Sequence, residues 1–123
     1  MPSANTQRFI EALKQTEIEQ DASILAAIFA EKAELSNLGA SASDPKAFWT
    51  DYLAMFDTIA SEFTLVAEVD NRAVLEWESK GKIRGGKPID YRGVSVLEWE
   101  GDRIRKFRTY YDTAPFVRTT STE

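Results

Sequence analysis

The stretch RTYYDTAPF, residues 108–116, places a carboxylate, Asp112, directly after two tyrosines where a strand-like run stops. Two readings fit it. Asp112 either ends the strand and caps the turn before Thr113, or is an acid held at the mouth of a pocket, able to move a proton. Strand alternation puts Arg108 and Tyr110 on its face. Either could favour the ionised form, whereas an apolar surround would favour the neutral one. Glu76 and Glu78 alternate with Leu75 and Trp77 and share one face, which is either a pocket wall or solvated surface. Asn37 carries both a donor and an acceptor, suited to orienting a water or a carbonyl or to satisfying local backbone before Gly39. Trp49, Tyr52 and Phe56 at helical spacing, with Tyr91 in a later strand, could line a cavity for a flat or cyclic ligand, or form ordinary core.

The chain contains no histidine and no cysteine, so proton transfer would fall to carboxylates, tyrosines or lysines, and thiol nucleophiles, disulfides and zinc–thiolate sites are excluded. The net charge of −5 argues against a nucleic-acid partner, and the basic stretches KGKIRGGK and RIRKFR read as solvated hairpin faces. No apolar run approaches the roughly 18 residues of a membrane span, and MPSANTQRF lacks the basic start and apolar stretch of a secretory signal. A soluble, cytoplasmic chain is the expectation. At 123 residues a single domain is expected, with an ordered core over about 5–116 and a C-terminal tail, VRTTSTE, too polar to order itself.

The elements that must position these residues are legible as a change of period. Phe9, Ile10 and Leu13 predict a helix over 5–15, and Ile18, Ala22, Leu25, Ile28 and Phe29 a second one reaching about residue 30. A short strand, AELSNLG, should follow. Asp44 as N-cap and Pro45 at the first helical position open a third helix, predicted over 45–60. Beyond it the period becomes two. Four β-branched and aromatic runs, separated by Asp70-Asn71, Gly85-Gly86 and Gly101-Asp102, predict an antiparallel meander. The fold class is therefore α+β, ordered α-α-β-α-β-β-β-β, with helices covering one face of a curved sheet. Trp77, Val94, Val96, Trp99, Phe107 and Tyr111 supply more apolar strand surface than one helical layer hides, which predicts a homodimer through the outer sheet face.

This order, with AELSNLGA after the second helix, the aromatic third helix, and GKPIDYRGVSVLEWEGDRIRKFRTYYD near the end, resembles the SnoaL-like branch of the nuclear-transport-factor-2-like superfamily over most of residues 5–116. The resemblance implies a cone-shaped domain enclosing an apolar pocket, commonly dimeric, among relatives that include ketosteroid isomerase, polyketide cyclases and limonene epoxide hydrolase. It also turns the Asp112 face inward. The ketosteroid isomerase acid/base positions correspond here to Phe9, Asn37 and Ser95, which cannot run that chemistry in its usual form. Limonene epoxide hydrolase matches in part: Asp112, Asn37 and Glu78 fit three places, while Leu35 and Glu76 replace a tyrosine and an arginine, leaving Arg108 as a possible substitute. Polyketide cyclases of the SnoaL type ask only for a positioned carboxylate and a shaped cavity.

The expectation is a small-molecule pocket protein without metal or cofactor, acting on an apolar or polyketide-like substrate. Asp112, Asn37 and Glu78 are the candidate catalytic residues, and Tyr91, Tyr110, Arg108, Tyr52 and Trp49 the candidate substrate contacts. The alternative is a non-catalytic binding or assembly module whose pocket its own side chains fill. An open cavity onto which Asp112 and Asn37 converge would favour the first.

Overall fold

The computed structural model describes residues 2–120. Helices α1 (Ala4–Glu19) and α2 (Ala22–Ala26) lead into strands β1 (Phe29–Asn37) and β2 (Ala40–Ala42), and α3 (Pro45–Ala54) follows. Strands β3 (Phe56–Val69), β4 (Arg72–Ile83), β5 (Pro88–Glu100) and β6 (Arg103–Tyr111) then form a meander, and α4 (Ala114–Thr120) follows it. The six strands make one sheet ordered β2-β1-β6-β5-β4-β3. Only β1 beside β6 is parallel, so the sheet is mixed and the predicted α+β class holds.

Helix α1 begins at Ser3, whose side chain accepts from the Thr6 amide, and ends at Gln20, which adopts φ 56° and donates its amide to the Thr16 carbonyl. Its buried stripe is Thr6, Phe9, Leu13, Thr16 and Glu17. This helix runs four residues beyond the predicted end. The second helix is confined to α2, where the Asp21 side chain accepts from the Ser23 amide. Ile18, predicted to face the core from that second helix, is 74% exposed, because its place in α1 lies off the buried stripe.

Two more boundaries differ. Helix α3 stops at Ala54, and residues 56–60 enter β3, paired from Phe56↔Ile83 to Ala60↔Lys80. Phe56 and Ile59 fit either period, and pairing with β4 decided between them. The tail predicted to be too polar to order is helical through Thr120, anchored by Phe116 against the Tyr91 ring at 4.7 Å between centroids. Residues 121–123 lie outside the described residues.

The inner sheet face packs beneath α1, α2 and α3, where Phe9, Leu25, Leu35, Leu75, Leu97, Ile104 and Phe107 are at most 2% exposed. Each such burial stabilises by roughly 1.5–3 kcal/mol. A second cluster of Phe56, Ile59, Trp77, Ile89 and Tyr91 closes the other end of the sheet, with Phe116 against it. Of the residues expected to crowd the sheet, Trp77, Trp99 and Phe107 are buried in the interior and Tyr111 packs against the second cluster. Val94 and Val96 lie half-buried on the outer face, beside exposed Leu65, Val74 and Tyr110. Among the described residues no helix is long and apolar enough to cross a membrane.

Candidate functional site

Between the helices and the inner sheet face lies a cavity of about 380 Å³. Phe48, Trp49 and Tyr52 of α3 wall it on one side, and Phe63, Trp77 and Phe107 of the sheet on the other. Exposed Ser41 of β2, with Ser43 and Asp44 of the β2–α3 connection, also line it and mark where it opens. The aromatic walls support one another edge-to-face: Trp49 and Phe107 lie 5.1 Å apart between centroids, and Phe48 and Phe107 5.8 Å. Gly93 sets the spacing of the far wall. A Cβ there would run into the Tyr110 backbone carbonyl oxygen and stand 2.7 Å from both the Trp77 ring and Tyr111 Cβ, so any larger residue would force the β5–β6 backbones as well as those aromatics to shift.

Behind this wall sits Glu17, 5% exposed on the last turn of α1. Its Oε2 accepts from the Tyr52 hydroxyl and from Ser61 Oγ, both at 2.7 Å, and its Oε1 accepts from the Ser61 amide at 2.9 Å. The Ser61 hydroxyl is also 2.6 Å from that of Ser79. Among the described residues no cation pairs with this carboxylate. Burial therefore pushes the Glu17 carboxyl above the ordinary glutamate range, against the pull of its hydroxyl and amide donors. Burial likewise holds the Tyr52 and Tyr91 phenols well above their usual values, so both stay neutral. Tyr52, Ser61, Ser79 and Tyr91 all line the cavity, and they connect it to the buried acid.

A second polar group faces the same space. Trp77 Nε1 donates to Ser95 Oγ at 3.0 Å, and Ser95 Oγ lies 3.0 Å from Thr109 Oγ1. The hydroxyl pair has two protons and one mutual bond, which leaves one proton to give to an acceptor in the cavity. Asn37 lines the cavity from the end of β1, and its Oδ1 is buried without a hydrogen-bond partner. The arrangement can hold a carbonyl at one place and exchange a proton at another. Among the described residues no three acidic side chains converge as a metal site would need.

Of the residues singled out from the sequence, Asn37, Trp49, Tyr52 and Tyr91 line the cavity, and Asp112, Glu78, Arg108 and Tyr110 do not. The inward face of β6 is that of Phe107, Thr109 and Tyr111. The expectation that the Arg108–Tyr110–Asp112 face turns inward is corrected accordingly: Phe107 packs under Phe9, Phe48 and Trp49, and alternation sends its even-numbered neighbours outward. Asp112 is exposed, and its Oδ1 accepts from the Ala114 amide at 3.0 Å, capping α4. Glu78 is corrected on the same principle, since Trp77 and Ser79 face the cavity; it lies 3.7 Å from Arg92 on the outer face, with Glu76 on that face too. Arg108 reaches the buried Glu98 at 3.8 Å. Tyr110 is 47% exposed.

The residue that sequence reasoning missed is Glu17. The signal was present: Glu17 continues the Phe9–Leu13 stripe by one further step of four, placing a carboxylate on an apolar helix face.

The profile of the family described as the SnoaL-like domain matches residues 6–107, and the chain belongs to that family. No curated protein matches the sequence. Among solved structures, the chain is similar to a putative isomerase from Rhodopseudomonas palustris, with a TM-score of 0.81 at 17% identity over 98% of each chain. It is similar to AclR, a putative hydroxylase from Streptomyces galilaeus, with a TM-score of 0.80 at 14% identity over 98% of this chain and 96% of that one. An LEH-like epoxide hydrolase from M. tuberculosis matches with a TM-score of 0.74 at 16% identity over 95% of this chain and 90% of that one. These likenesses establish the nuclear-transport-factor-2-like fold, a cone of helices against a curved sheet.

Proposed function

We propose that this chain is a small-molecule enzyme of the SnoaL-like type that transfers protons on a compact, apolar, flat molecule carrying a polar oxygen, with no cofactor. The observation that carries this reading is the open aromatic cavity with a buried, hydroxyl-bound carboxylate, Glu17, in its wall. An assembly module would fill that space with side chains and would gain nothing from burying an acid without a cation, which costs several kcal/mol unless the acid is neutralised. Isomerase, cyclase and epoxide-hydrolase chemistry all need such a group, and structures of this fold carry two of those names. The binding step is tested with the cavity's own tryptophans, Trp49 and Trp77. Titration with neutral bicyclic ketones and epoxides should quench their fluorescence saturably and raise the melting temperature. A panel that neither quenches nor stabilises sinks the reading.

We also propose that the chain pairs with a second copy through the outer sheet face, where Leu65, Val74, Val94, Val96 and Tyr110 form an apolar patch. Sedimentation at micromolar concentration should give a dimer, and Val96→Asp a monomer. A monomeric wild type removes this proposal without touching the cavity.

A further inference from the structure

We propose that Glu17 is the proton store of this site and that it acts on an enolisable ketone through a two-hydroxyl relay, Ser79 and Ser61, never touching the substrate itself. The inference rests on the functional reading above and adds to it a direction, a set of roles and a substrate class. Glu17 does not line the cavity, and its carboxylate is already engaged by Tyr52 and Ser61, so direct attack on a bound molecule is closed to it. Ser61 does line the cavity, and its hydroxyl is bonded to the acid at 2.7 Å and to Ser79 at 2.6 Å. Ser79 is 1% exposed and, like Ser61, lines the cavity, so the hydroxyl chain that starts at the acid ends on it.

The order of donors follows from counting protons. With Glu17 ionised, Ser61 must give its one hydroxyl proton to the carboxylate, so the short contact to Ser79 is made by the Ser79 proton. Ser79 then keeps one lone pair for the Tyr91 hydroxyl beside it and has the other for a group in the cavity. With Glu17 protonated, every bond in the chain reverses: the acid donates to Ser61, Ser61 to Ser79, and Ser79 presents a proton to the cavity. One proton on a buried acid thus switches the cavity end of the relay from acceptor to donor.

For a ketone the step balances as follows. The carbon–hydrogen bond beside the carbonyl breaks, and its proton bonds to Ser79 Oγ. The Ser79 proton passes to Ser61 Oγ as the Ser61 proton passes to Glu17. The electron pair left on carbon becomes the enolate, whose oxygen takes the spare proton donation of the Ser95–Thr109 pair. Return of the proton to the same carbon completes an exchange, and return to a different carbon an isomerisation. Burial that raises the Glu17 carboxyl makes its ionised form a stronger proton acceptor than an ordinary glutamate. An anionic substrate is disfavoured, because among the described residues no lysine or arginine lines the cavity and a second negative charge would lie near the Glu17 carboxylate.

The experiment is solvent-deuterium exchange into the acidic carbons of 2-tetralone, a flat neutral bicyclic ketone, followed by proton NMR, with tryptophan quenching run in parallel as the binding measure. Wild type should accelerate the exchange over buffer. Glu17→Gln and Ser79→Ala should each lower the enzyme-catalysed rate by about 10²-fold, while 2-tetralone binds within about threefold of the wild-type affinity. Ser79→Ala removes a single oxygen and serves if Glu17→Gln does not fold. Bound ketone exchanged equally fast by both variants, or not exchanged by wild type, overturns the relay and leaves the pocket reading standing. Failure of any flat ketone to bind brings down the functional reading itself. A carboxyl-carbon NMR titration of Glu17 adds an activity-free readout: a midpoint in the ordinary glutamate range overturns the relay.

Discussion

Two glutamates in this chain are almost equally buried, Glu17 at 5% exposure and Glu98 at 6%, and they stand on opposite sides of the sheet's inner layer with opposite kinds of partner. Glu98 is bound by cations: Arg105 at 3.0 Å, Arg72 at 3.4 Å and Arg108 at 3.8 Å, all three partly in solvent. Glu17 is bound by two hydroxyls and an amide. The Glu98 carboxylate is thus held by ion pairs on the outer face. Neutral donors leave the proton free to come and go, which is why Glu98 reads as fabric of the outer face and Glu17 as chemistry. Burial alone would have ranked them together, and it is the partner set that separates them.

The comparison is broken most forcefully at Glu98. Glu98→Ala should cost about 1–3 kcal/mol in urea unfolding, the loss of a hydrogen-bonded ion pair with only partial relief from solvating the freed arginines. The difference from wild type should shrink in high salt, since these pairs are half in solvent. Exchange of 2-tetralone should be unchanged. A large loss of exchange would mean that the two carboxylates are not separable and that the outer face shapes the cavity.

A smaller, pH-dependent difference should appear at Glu17. Its folded carboxyl is raised by burial, so its contribution to stability is fully present below the ordinary glutamate value, about 4.3, and is lost as pH rises through the folded value. Glu17→Gln is neutral throughout and should lose none of it. The melting temperature of Glu17→Gln relative to wild type is therefore expected to climb from pH 4 toward pH 8. A flat difference would place both glutamates in the same electrostatic class, and the contrast drawn above would fail.

The sequence made the strand meander, the capped start of α3 and the aromatic wall legible because each is set by short-range rules: period two, an Asp-Pro cap, turn residues at hairpin ends. The polar side of the site was hidden by two long-range facts. Which face of β6 turns inward is decided by where Phe107 packs beneath α1 and α3, a contact no alternation rule contains. Glu17 was hidden by a helix boundary: ending α1 at residue 15 detaches Glu17 from the Phe9–Leu13 stripe, and Ile18 then looks like the start of the next apolar face. A polar residue on an apolar stripe reads as a helix end until the hydroxyls that receive it, 35 to 44 residues away for Tyr52 and Ser61, are brought beside it.

The smallest expected effect falls on the residue that looked most catalytic. Asp112 occupies the strand-end position at which relatives of this fold were expected to keep their acid, yet its carboxylate accepts the Ala114 amide outside the cavity. Asp112→Ala removes a cap from a seven-residue helix, so it should cost under about 1 kcal/mol. That loss should loosen Phe116 from Tyr91 before it disturbs the sheet. Because Tyr91 lines the cavity, a slight weakening of 2-tetralone binding with an unaltered exchange rate per bound ketone is the expected pattern. The opposite pattern, full binding with exchange abolished, would restore Asp112 as the acid of the site and reduce Glu17 to a buried strut.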